Sequence, residues 1–440
     1  MASAERRGRE SFPFLVGRHA VTKCVASQIF VVLALAGAPP ETPFQVRASE
    51  PPKPGLHDVS TPLRNVRVLI AAGVTRLRVR AESALIVRDH DLKALGRFES
   101  PDWTVVAPAD SGEVRLGGHS WLTPSLWIEP VEHGPLTVSV EQDGEWLDGV
   151  PYPGALRVVI REDGWLDGIN HVDVERYVAC VTGVEVWPTF DVEAYRAQAI
   201  VARTYVLYQM MRRQGAAFDV SATQGSQVYR GIRENGSARR AAAAVRHTQG
   251  LVLTWMDDGR DRLFCTYYSA TCGGRSQSAA IFGSEGDIEP LAGGVSCDYC
   301  KIAPGSSYRW GPVHLSKDRI RSKLVGRDPE LKSLGHIRRI EVSKRTPSGR
   351  PVTLRILGSR SDPYEMLAER FRLIVAPNEV RSTDFKVRDA GDEVVFEHGR
   401  GFGHGLGLCQ WGMQGQALQG RRASEILRYY YPGSRLTRAY

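Results

Sequence analysis

The stretch DVEAYRAQAIVARTYVLYQMMRRQG, residues 191–215, is apolar on nearly every side of a helical projection. A helix without a polar face is expected to lie inside a protein core. Asp191 suits the position before the first turn, and Arg212 and Gly215 suit the C-terminal end. Arg203 lies within the apolar part, where a structural ion pair is expected. The stretch therefore predicts a long, buried central helix around which the rest of the chain packs.

Short runs of alternating apolar and polar residues precede this helix and predict strands. Between residues 65 and 145 several such runs, among them VRVLIAAG and TVVAPAD, are separated by turns, which indicates a small N-terminal β domain. Residues 155–170 predict a hairpin whose turn is formed by Asp163 and Gly164.

Helices and strands alternate irregularly in the remainder of the chain. Short helices are predicted at 172–181 and 423–433, and strand-like runs return after residue 250. The fold class is therefore α+β, with mixed strands and the buried central helix in a larger domain at 150–440.

The first 38 residues carry the features of an export signal. Five basic residues precede the apolar run IFVVLALAGA at 29–38, and proline-rich sequence follows it. The run is too short for a membrane-spanning helix, which needs about 20 residues. Residues 1–38 are expected to be a signal peptide or short anchor, and 39–64 a linker. The expected location is the periplasm, the cell wall or the outer face of the cytoplasmic membrane, which only an uncleaved leader would contact.

The composition is that of a globular protein, with 440 residues of which 42% are hydrophobic and 24% charged. This length suits about two or three domains. The net charge of +8 at pH 7 favours acidic partners in general. The basic residues are spread out and do not alternate with aromatic residues, so nucleic acid is not an expected partner.

Seven cysteines occur, and six of them follow the leader. An even number in an exported chain permits disulfides. Cys297 and Cys300 also have the C-x-x-C spacing of a metal-binding knuckle, and Cys272 is a candidate third ligand. The sequence leaves disulfides, a metal site and free thiols open. At least two of these three cysteines are expected within bonding distance, in a disulfide or around a metal.

The sequence GRGFGHGLGLCQWG, residues 399–412, has glycine at every second position from 399 to 407. This spacing fits neither a dinucleotide-binding loop nor a P-loop. An extended strand would place these glycines on one bare face, which a ligand or another backbone can approach closely. Gly403 and Gly405 are therefore expected to lie against a substrate, with tight backbone packing in the core as the alternative.

Several blocks resemble the SpoIID family, which includes stage II sporulation protein D and LytB-like peptidoglycan proteins. GRGFGHGLGLCQWGMQGQALQG resembles its C-terminal signature, and AQAIVARTYVL (197–207) resembles its most recognisable helix. Further blocks follow in the family order: SQVYRG (226–231), YYSATCGGRSQ (267–277), SGRPVTLRILG (348–358), RSTDF (381–385) and ILRYYYPG (426–433). The resemblance covers residues 65–440.

The resemblance implies lytic transglycosylase activity on peptidoglycan glycan strands without stem peptides. It assigns catalysis to one glutamate just before the buried helix, which maps onto Glu185. Such an enzyme needs no catalytic water, so one carboxyl group can protonate the glycosidic oxygen and then deprotonate the muramyl 6-hydroxyl, giving a 1,6-anhydro sugar. Both roles require a raised pKa, which the apolar neighbours Val184, Val186 and Trp187 favour. From local sequence alone, a surface glutamate is the alternative.

The other expected substrate-binding residues come from the family blocks: Tyr268, Ser269, Gln277, His404 and Gln410. His404 and Gln410 match the family's GHG…Q element. His404 is expected to bind sugar hydroxyls or to hold the loop of the catalytic glutamate, with a buried structural histidine as the alternative.

The sequence departs from the family pattern in two places. Val186 and Trp187 stand where the family usually has Met-Pro directly after the glutamate, and Pro188 comes one position later. Some members have a Cys/His/Cys zinc cluster before the QVY block, whereas DVSATQGSQVY (219–229) offers no such ligands. The predicted site thus contains no metal ligand, and no redox, nucleotide or flavin cofactor is implied.

Two other functions fit the same motifs without ionisation of Glu185. One is a non-catalytic wall-binding module that stimulates an N-acetylmuramoyl-L-alanine amidase, the role attributed to LytB-like proteins. The other is a structural partner in a wall-remodelling complex. The expected partners are peptidoglycan glycan strands and, as a candidate, such an amidase.

Overall fold

The computed structural model describes residues 65–99, 102–109, 112–283 and 288–440. The leader expected at 1–38 and the linker expected at 39–64 lie outside the described residues. Of the helices described, none combines the length and the apolar character that crossing a membrane requires.

Seven α-helices are found in the described parts of the chain: α1 (Val174–Glu185), α2 (Val192–Arg212), α3 (Gly236–His247), α4 (Lys317–Arg327), α5 (Ala368–Val375), α6 (Gln410–Ala417) and α7 (Ala423–Tyr430). Together with the strands they confirm the α+β class. The helices predicted at 172–181 and 423–433 correspond to α1 and α7.

The central helix α2 is buried along most of its length, as predicted. Asp191 caps it by accepting a hydrogen bond from the Glu193 amide at 2.8 Å. The C-cap is Arg213, so Gly215, which has a φ of 84°, lies one residue beyond its expected position. Arg203 is fully buried and forms the expected ion pair, since its guanidinium donates to both carboxylate oxygens of Glu175 at 2.9 and 2.6 Å.

Thirteen strands precede α1: β1 (Asn65–Val74), β2 (Leu77–Arg80), β3 (Leu85–Arg88), β4 (Ala94–Phe98), β5 (Thr104–Pro108), β6 (Glu113–Leu116), β7 (His119–Leu122), β8 (Ser125–Pro130), β9 (Leu136–Gln142), β10 (Glu145–Trp146), β11 (Val150–Tyr152), β12 (Ala155–Ile160) and β13 (Leu166–Asp173). One sheet has the order β10-β9-β2-β5-β6-β7, with β11 also paired to β9. The hairpin of β12 and β13 turns at Gly164, whose φ is 81°.

The second large sheet joins this N-terminal part to the rest of the fold. Its order is β14-β1-β13-β12-β8-β3-β4, where β14 is the short strand Val220–Ser221 beyond α2. Strand β1 pairs antiparallel with β13 and parallel with β14. The strands of 65–145 therefore share a sheet and a hydrophobic core with elements of the domain expected at 150–440.

The later strands are β15 (Leu251–Asp257), β16 (Arg260–Leu263), β17 (Tyr268–Ser269), β18 (Arg309–Trp310), β19 (Val313–Ser316), β20 (Ile337–Arg345), β21 (Pro351–Gly358), β22 (Tyr364–Leu367), β23 (Asp384–Ala390), β24 (Glu393–Arg400), β25 (Leu408–Cys409) and β26 (Arg435–Arg438). They form four small sheets: β16-β15-β26, β17-β25, β20-β21-β22, and β18-β24-β19 with β23 beside β24. Buried side chains between Trp310 and Phe396 make a core of their own.

Candidate active site

The predicted catalytic residue Glu185 is the last residue of α1. The helix is capped at its start by Asp173, whose carboxylate accepts from the amides of Glu175 and Arg176. It ends because Val186 has extended backbone angles, φ −97° and ψ 132°, and Pro188 follows two residues later. The chain then returns to start α2, so Glu185 lies beside the N-terminal end of the buried helix.

Three distant parts of the chain meet at Glu185. Its Oε1 accepts a hydrogen bond from the Val228 amide at 3.0 Å and from the Tyr268 hydroxyl at 3.2 Å. The Gln410 side chain donates to the Glu185 backbone carbonyl at 3.2 Å and to Gln198 Oε1 at 3.3 Å. Glu185, Tyr268 and Gln410 are thus brought together, and their roles in catalysis and substrate binding stay predictions.

The environment favours the protonated form of Glu185. The residue is half-buried, and burial of its carboxyl group raises the pKa above the ordinary value. Hydrogen bonds from the Val228 amide, Tyr268 and Gln410 act in the opposite direction, because they stabilise the carboxylate, but desolvation is the larger effect. A carboxyl group with these properties can hold a proton closer to neutral pH than an exposed glutamate.

Aromatic side chains lie directly after Glu185. Trp187 is 39% exposed and its ring centroid lies 5.8 Å from that of Trp411. Trp411 also makes an edge contact with Phe190 at 4.9 Å. The site therefore has an apolar rim. The sequence predicts an effect of Trp187 on the pKa of Glu185, whereas Trp411 was not identified from it.

Tyr268 and Ser269 form β17, which pairs in parallel with β25, so they lie beside Leu408 and Cys409. The Ser269 hydroxyl is buried and has no hydrogen-bond partner among the described residues. This pairing explains how the YYSATCGGRSQ block reaches the same place as the C-terminal signature.

His404 and Gln277 make hydrogen bonds with protein groups in and beside the glycine-rich segment. Nδ1 of His404 accepts from the Leu406 amide at 2.9 Å, and burial lowers the pKa of the ring to about 4, so it is neutral at pH 7. Gln277 donates to the His404 carbonyl at 2.5 Å and to Thr383 at 3.3 Å. These contacts favour the structural alternative for His404, while sugar binding by either residue stays a prediction.

The glycine-rich segment is not the extended strand predicted for residues 399–407. Strand β24 ends at Arg400, and Gly401, Gly403, Gly405 and Gly407 have φ values of 80°, 97°, 75° and 59°. This is the left-handed region, which glycine adopts readily and other residues adopt at a cost. The prediction of a bare strand face is therefore wrong, because alternate glycines also fit a chain that bends at each of them.

The alternative reading of this segment, tight packing in the core, fits the structure better. A Cβ atom at Gly407 would lie 2.1 Å from the Tyr267 carbonyl oxygen, and one at Gly403 would lie 2.9 Å from Ser269 Cβ. A Cβ atom at Gly405 would lie 2.4 Å from Nη1 of Arg350. Substrate contact by Gly403 or Gly405 stays a prediction.

Four buried cysteines lie together beside this segment: Cys272, Cys297, Cys300 and Cys409. Their sulfur atoms are all within 4.8 Å of one another, and the four thiols are free. The sequence prediction included the first three but missed Cys409. Its position within the glycine-rich signature, directly before Gln410, was the available signal. The group is a candidate metal centre separate from the Glu185 carboxyl group.

Comparisons with known proteins agree with the motifs. Residues 162–255 match the family model described as stage II sporulation protein, SpoIID, and residues 302–407 match a domain of unknown function. An uncharacterized protein of Brachyspira hyodysenteriae is 31% identical over 300 residues, which cover 66% of this chain and 74% of that protein.

Two Bacillus subtilis proteins with assigned names also match. Stage II sporulation protein D is 25% identical over 284 residues, or 62% of this chain and 76% of its own length. The amidase enhancer is 49% identical over 39 residues, which cover 9% of this chain and 6% of that protein. With the motifs in family order and the family model over α1 and α2, the chain belongs to the SpoIID/LytB family.

Proposed function

We propose that this protein acts on the bacterial cell wall as a lytic transglycosylase that cleaves peptidoglycan glycan strands denuded of stem peptides. The observation that carries the proposal is the setting of Glu185, a half-buried carboxyl group with a raised pKa at the end of α1. Among the described residues, the hydrogen bonds to its carboxyl group come from a backbone amide and a phenol rather than from a second carboxyl group.

In the proposed reaction Glu185 starts protonated. It gives its proton to the oxygen of the glycosidic bond, and the bond between that oxygen and the muramyl anomeric carbon breaks. The resulting carboxylate takes the proton of the muramyl 6-hydroxyl, whose oxygen bonds to the anomeric carbon. The product is a 1,6-anhydro sugar, no water is consumed, and Glu185 ends protonated again.

The neighbours of Glu185 suit this chemistry. The hydrogen bonds from Val228 and Tyr268 orient the carboxyl group, so little ordering is needed in the transition state. Trp187 and Trp411 offer aromatic surface on which the apolar face of a sugar ring can pack.

The product distinguishes this reaction from hydrolysis. Purified protein is incubated with glycan strands from which an amidase has removed the stem peptides, and the products are weighed by mass spectrometry. We expect 1,6-anhydro ends, each lighter by one water than the corresponding reducing end. Reducing ends in their place would show a hydrolase, and the single-residue mechanism would then be incorrect.

A second candidate is supported by the short but strong match to the amidase enhancer. In that role the chain would bind glycan strands and stimulate an N-acetylmuramoyl-L-alanine amidase without cleaving them. Adding the protein to an amidase assay on intact peptidoglycan tests it. Binding and stimulation without cleavage would favour this function over the transglycosylase. Either function includes export as part of the proposal, because the substrate lies outside the cytoplasmic membrane.

A further inference from the structure

We propose that Cys272, Cys297, Cys300 and Cys409 bind one zinc ion as a structural site. All four residues are buried, and their sulfur atoms lie within 4.8 Å of one another. This site is distinct from the Cys/His/Cys cluster that some relatives carry before the QVY block, where this chain has hydroxyl groups. Ser221 and Ser226 there contact each other through their Oγ atoms at 3.3 Å.

The spacing of the sulfurs fits a tetrahedral metal rather than disulfides. With Zn–S bonds of about 2.3 Å, the corners of a tetrahedron lie about 3.8 Å apart. Sγ of Cys272 and Sγ of Cys300 are 3.8 Å apart. A disulfide would require about 2.05 Å. Four thiolate ligands in tetrahedral arrangement select zinc over the oxygen-seeking ions magnesium and calcium.

Neighbouring donors support the cysteines as thiolate ligands. The Cys272 amide donates to Sγ of Cys409 at 3.3 Å, and the Tyr430 hydroxyl lies 3.0 Å from Sγ of Cys297. Such second contacts orient metal ligands and offset their charge. A Cβ atom at residue 412 would lie 2.6 Å from the Cys297 sulfur, so Gly412 leaves space for this ligand.

The charge of the surroundings also fits. Four thiolates around one Zn²⁺ carry two net negative charges, which an apolar core accepts poorly without compensation. The Arg350 side chain is 4% exposed, and its Nη2 donates to the Cys272 carbonyl at 2.6 Å. Its carboxylate partner Asp384 is 3.7 Å away and more exposed, so Arg350 can compensate the metal centre as well.

The position of the ligands indicates a structural role. Cys272 follows β17, Cys297 comes just before the short helical turn Tyr299–Ile302, Cys300 lies within that turn, and Cys409 ends β25. With four protein ligands no coordination position remains for substrate. The ion would tie three separate segments together and would fix Gln410, the residue after Cys409. The effect of the bound ion on catalysis by Glu185, through the position of Gln410, rests on the proposed function.

Metal analysis of the full chain, purified without chelator, tests the site. We expect one zinc per chain and complete exchange for Co²⁺, with the visible absorption of tetrahedral cobalt thiolate. C297S and C409S should lose the bound metal, whereas C180S and C265S, which alter the two described cysteines outside this group, should retain it.

Three outcomes would overturn the assignment. They are iron in place of zinc, a mass under non-reducing denaturing conditions that shows disulfides among the four cysteines, and wild-type protein with reduced thiols that takes up no zinc. The last two measurements use wild-type chain and do not depend on whether a variant folds. E185Q should keep its zinc, so zinc without cleavage would refute only the proposed function, and cleavage without zinc only the metal site.

Discussion

Two regions meet at the candidate site, and they are held in different ways. The end of α1, which carries Glu185, is held by its own helix, by the Asp173 cap and by burial of one helix face. The segment from Gly399 to Gly412 runs from the end of β24 into the start of α6, and it is held by single bridges to residues 271, 277 and 382 and by the short pairing of β25 with β17. The position of Glu185 is therefore fixed by its own helix, whereas the residues around its carboxyl group are positioned by distant parts of the chain. Changes at Glu185 should affect chemistry first, and changes in the segment should affect folding first.

The largest expected effect is on the chemistry. E185Q keeps the size of the side chain but can neither donate nor take the proton, so cleavage should fall by roughly 10²–10⁴-fold or more. Binding of denuded strands should be nearly unchanged. Product release by mass spectrometry and strand co-sedimentation measure the two effects.

E234Q is the matched control for this change, because Glu234 is exposed and lies in the loop before α3. It should cleave like the wild type. Unchanged cleavage by E185Q would refute the assigned role of Glu185. A fold disrupted by E185Q would contradict the expected separation of chemistry from folding at the end of α1.

The next largest effect is on folding, in the glycine-rich segment. G407A adds a Cβ atom that would lie 2.1 Å from the Tyr267 carbonyl, at a φ of 59°. The strained φ costs about 1–2 kcal/mol and the overpacking about 1–3 kcal/mol more in the free energy of unfolding. Denaturant unfolding measures the loss.

G420A separates these two causes. Gly420 has a φ of 81° but open space around its Cβ position, so only the cost of the strained φ, about 1–2 kcal/mol, is expected. Equal losses in G407A and G420A would show that the close approach at Gly407 contributes nothing.

A smaller effect links Glu185 to the pH dependence of stability. Its pKa is raised in the folded state, so the folded protein binds the proton more tightly than the unfolded chain. The stabilising contribution of the protonated group is therefore complete below the ordinary glutamate pKa and is lost as the pH rises through the raised value. E185Q lacks this loss. The free energy of unfolding of E185Q, measured with denaturant, should increase relative to that of the wild type across this pH window. A constant difference between the two proteins over the window would contradict the raised pKa of Glu185.

The smallest effect concerns the hydrogen bond from Tyr268. Y268F removes a donor that lowers the pKa of Glu185, so the carboxyl group should hold its proton to higher pH. A hydrogen bond of this kind contributes about 0.5–1.5 kcal/mol. The decline of cleavage with increasing pH should shift upward while the maximal rate changes little. Y364F, in β22, is the control and should leave the profile in place.

Local patterns in the sequence predicted the parts of the fold that local interactions determine. The burial and cap of α2 and the hairpin at Gly164 follow from residues close together or from one helix. The predicted domain boundary near residues 145–150 gives no indication that β1 pairs with β13 and β14, because strand pairing between distant segments leaves no local signal.

The candidate site was predicted only in part, again because contacts between distant segments leave no local signal in the sequence. The family motifs located Glu185, Tyr268 and Gln410, which the structure brings together. The alternating glycines at 399–407 predict a strand with one bare face. The same alternation also fits a chain with a left-handed turn at each glycine, and the spacing alone does not distinguish the two. Cys409 was missed because the C-x-x-C pattern identifies only cysteines that are close in sequence. The cysteines that lie beside Cys409 come from distant parts of the chain.

The location of Glu185 at the C-terminal end of α1 has a further electrostatic consequence. The peptide dipoles of a helix sum to a partial negative charge at that end, which disfavours a carboxylate placed there. No basic residue in the last turn of α1 offsets it. The helix itself therefore acts with burial to keep the proton on Glu185. A lysine introduced at Val184, one residue before the acid, would lower the pKa of Glu185 and so reduce the fraction of the protein that carries the proton near neutral pH.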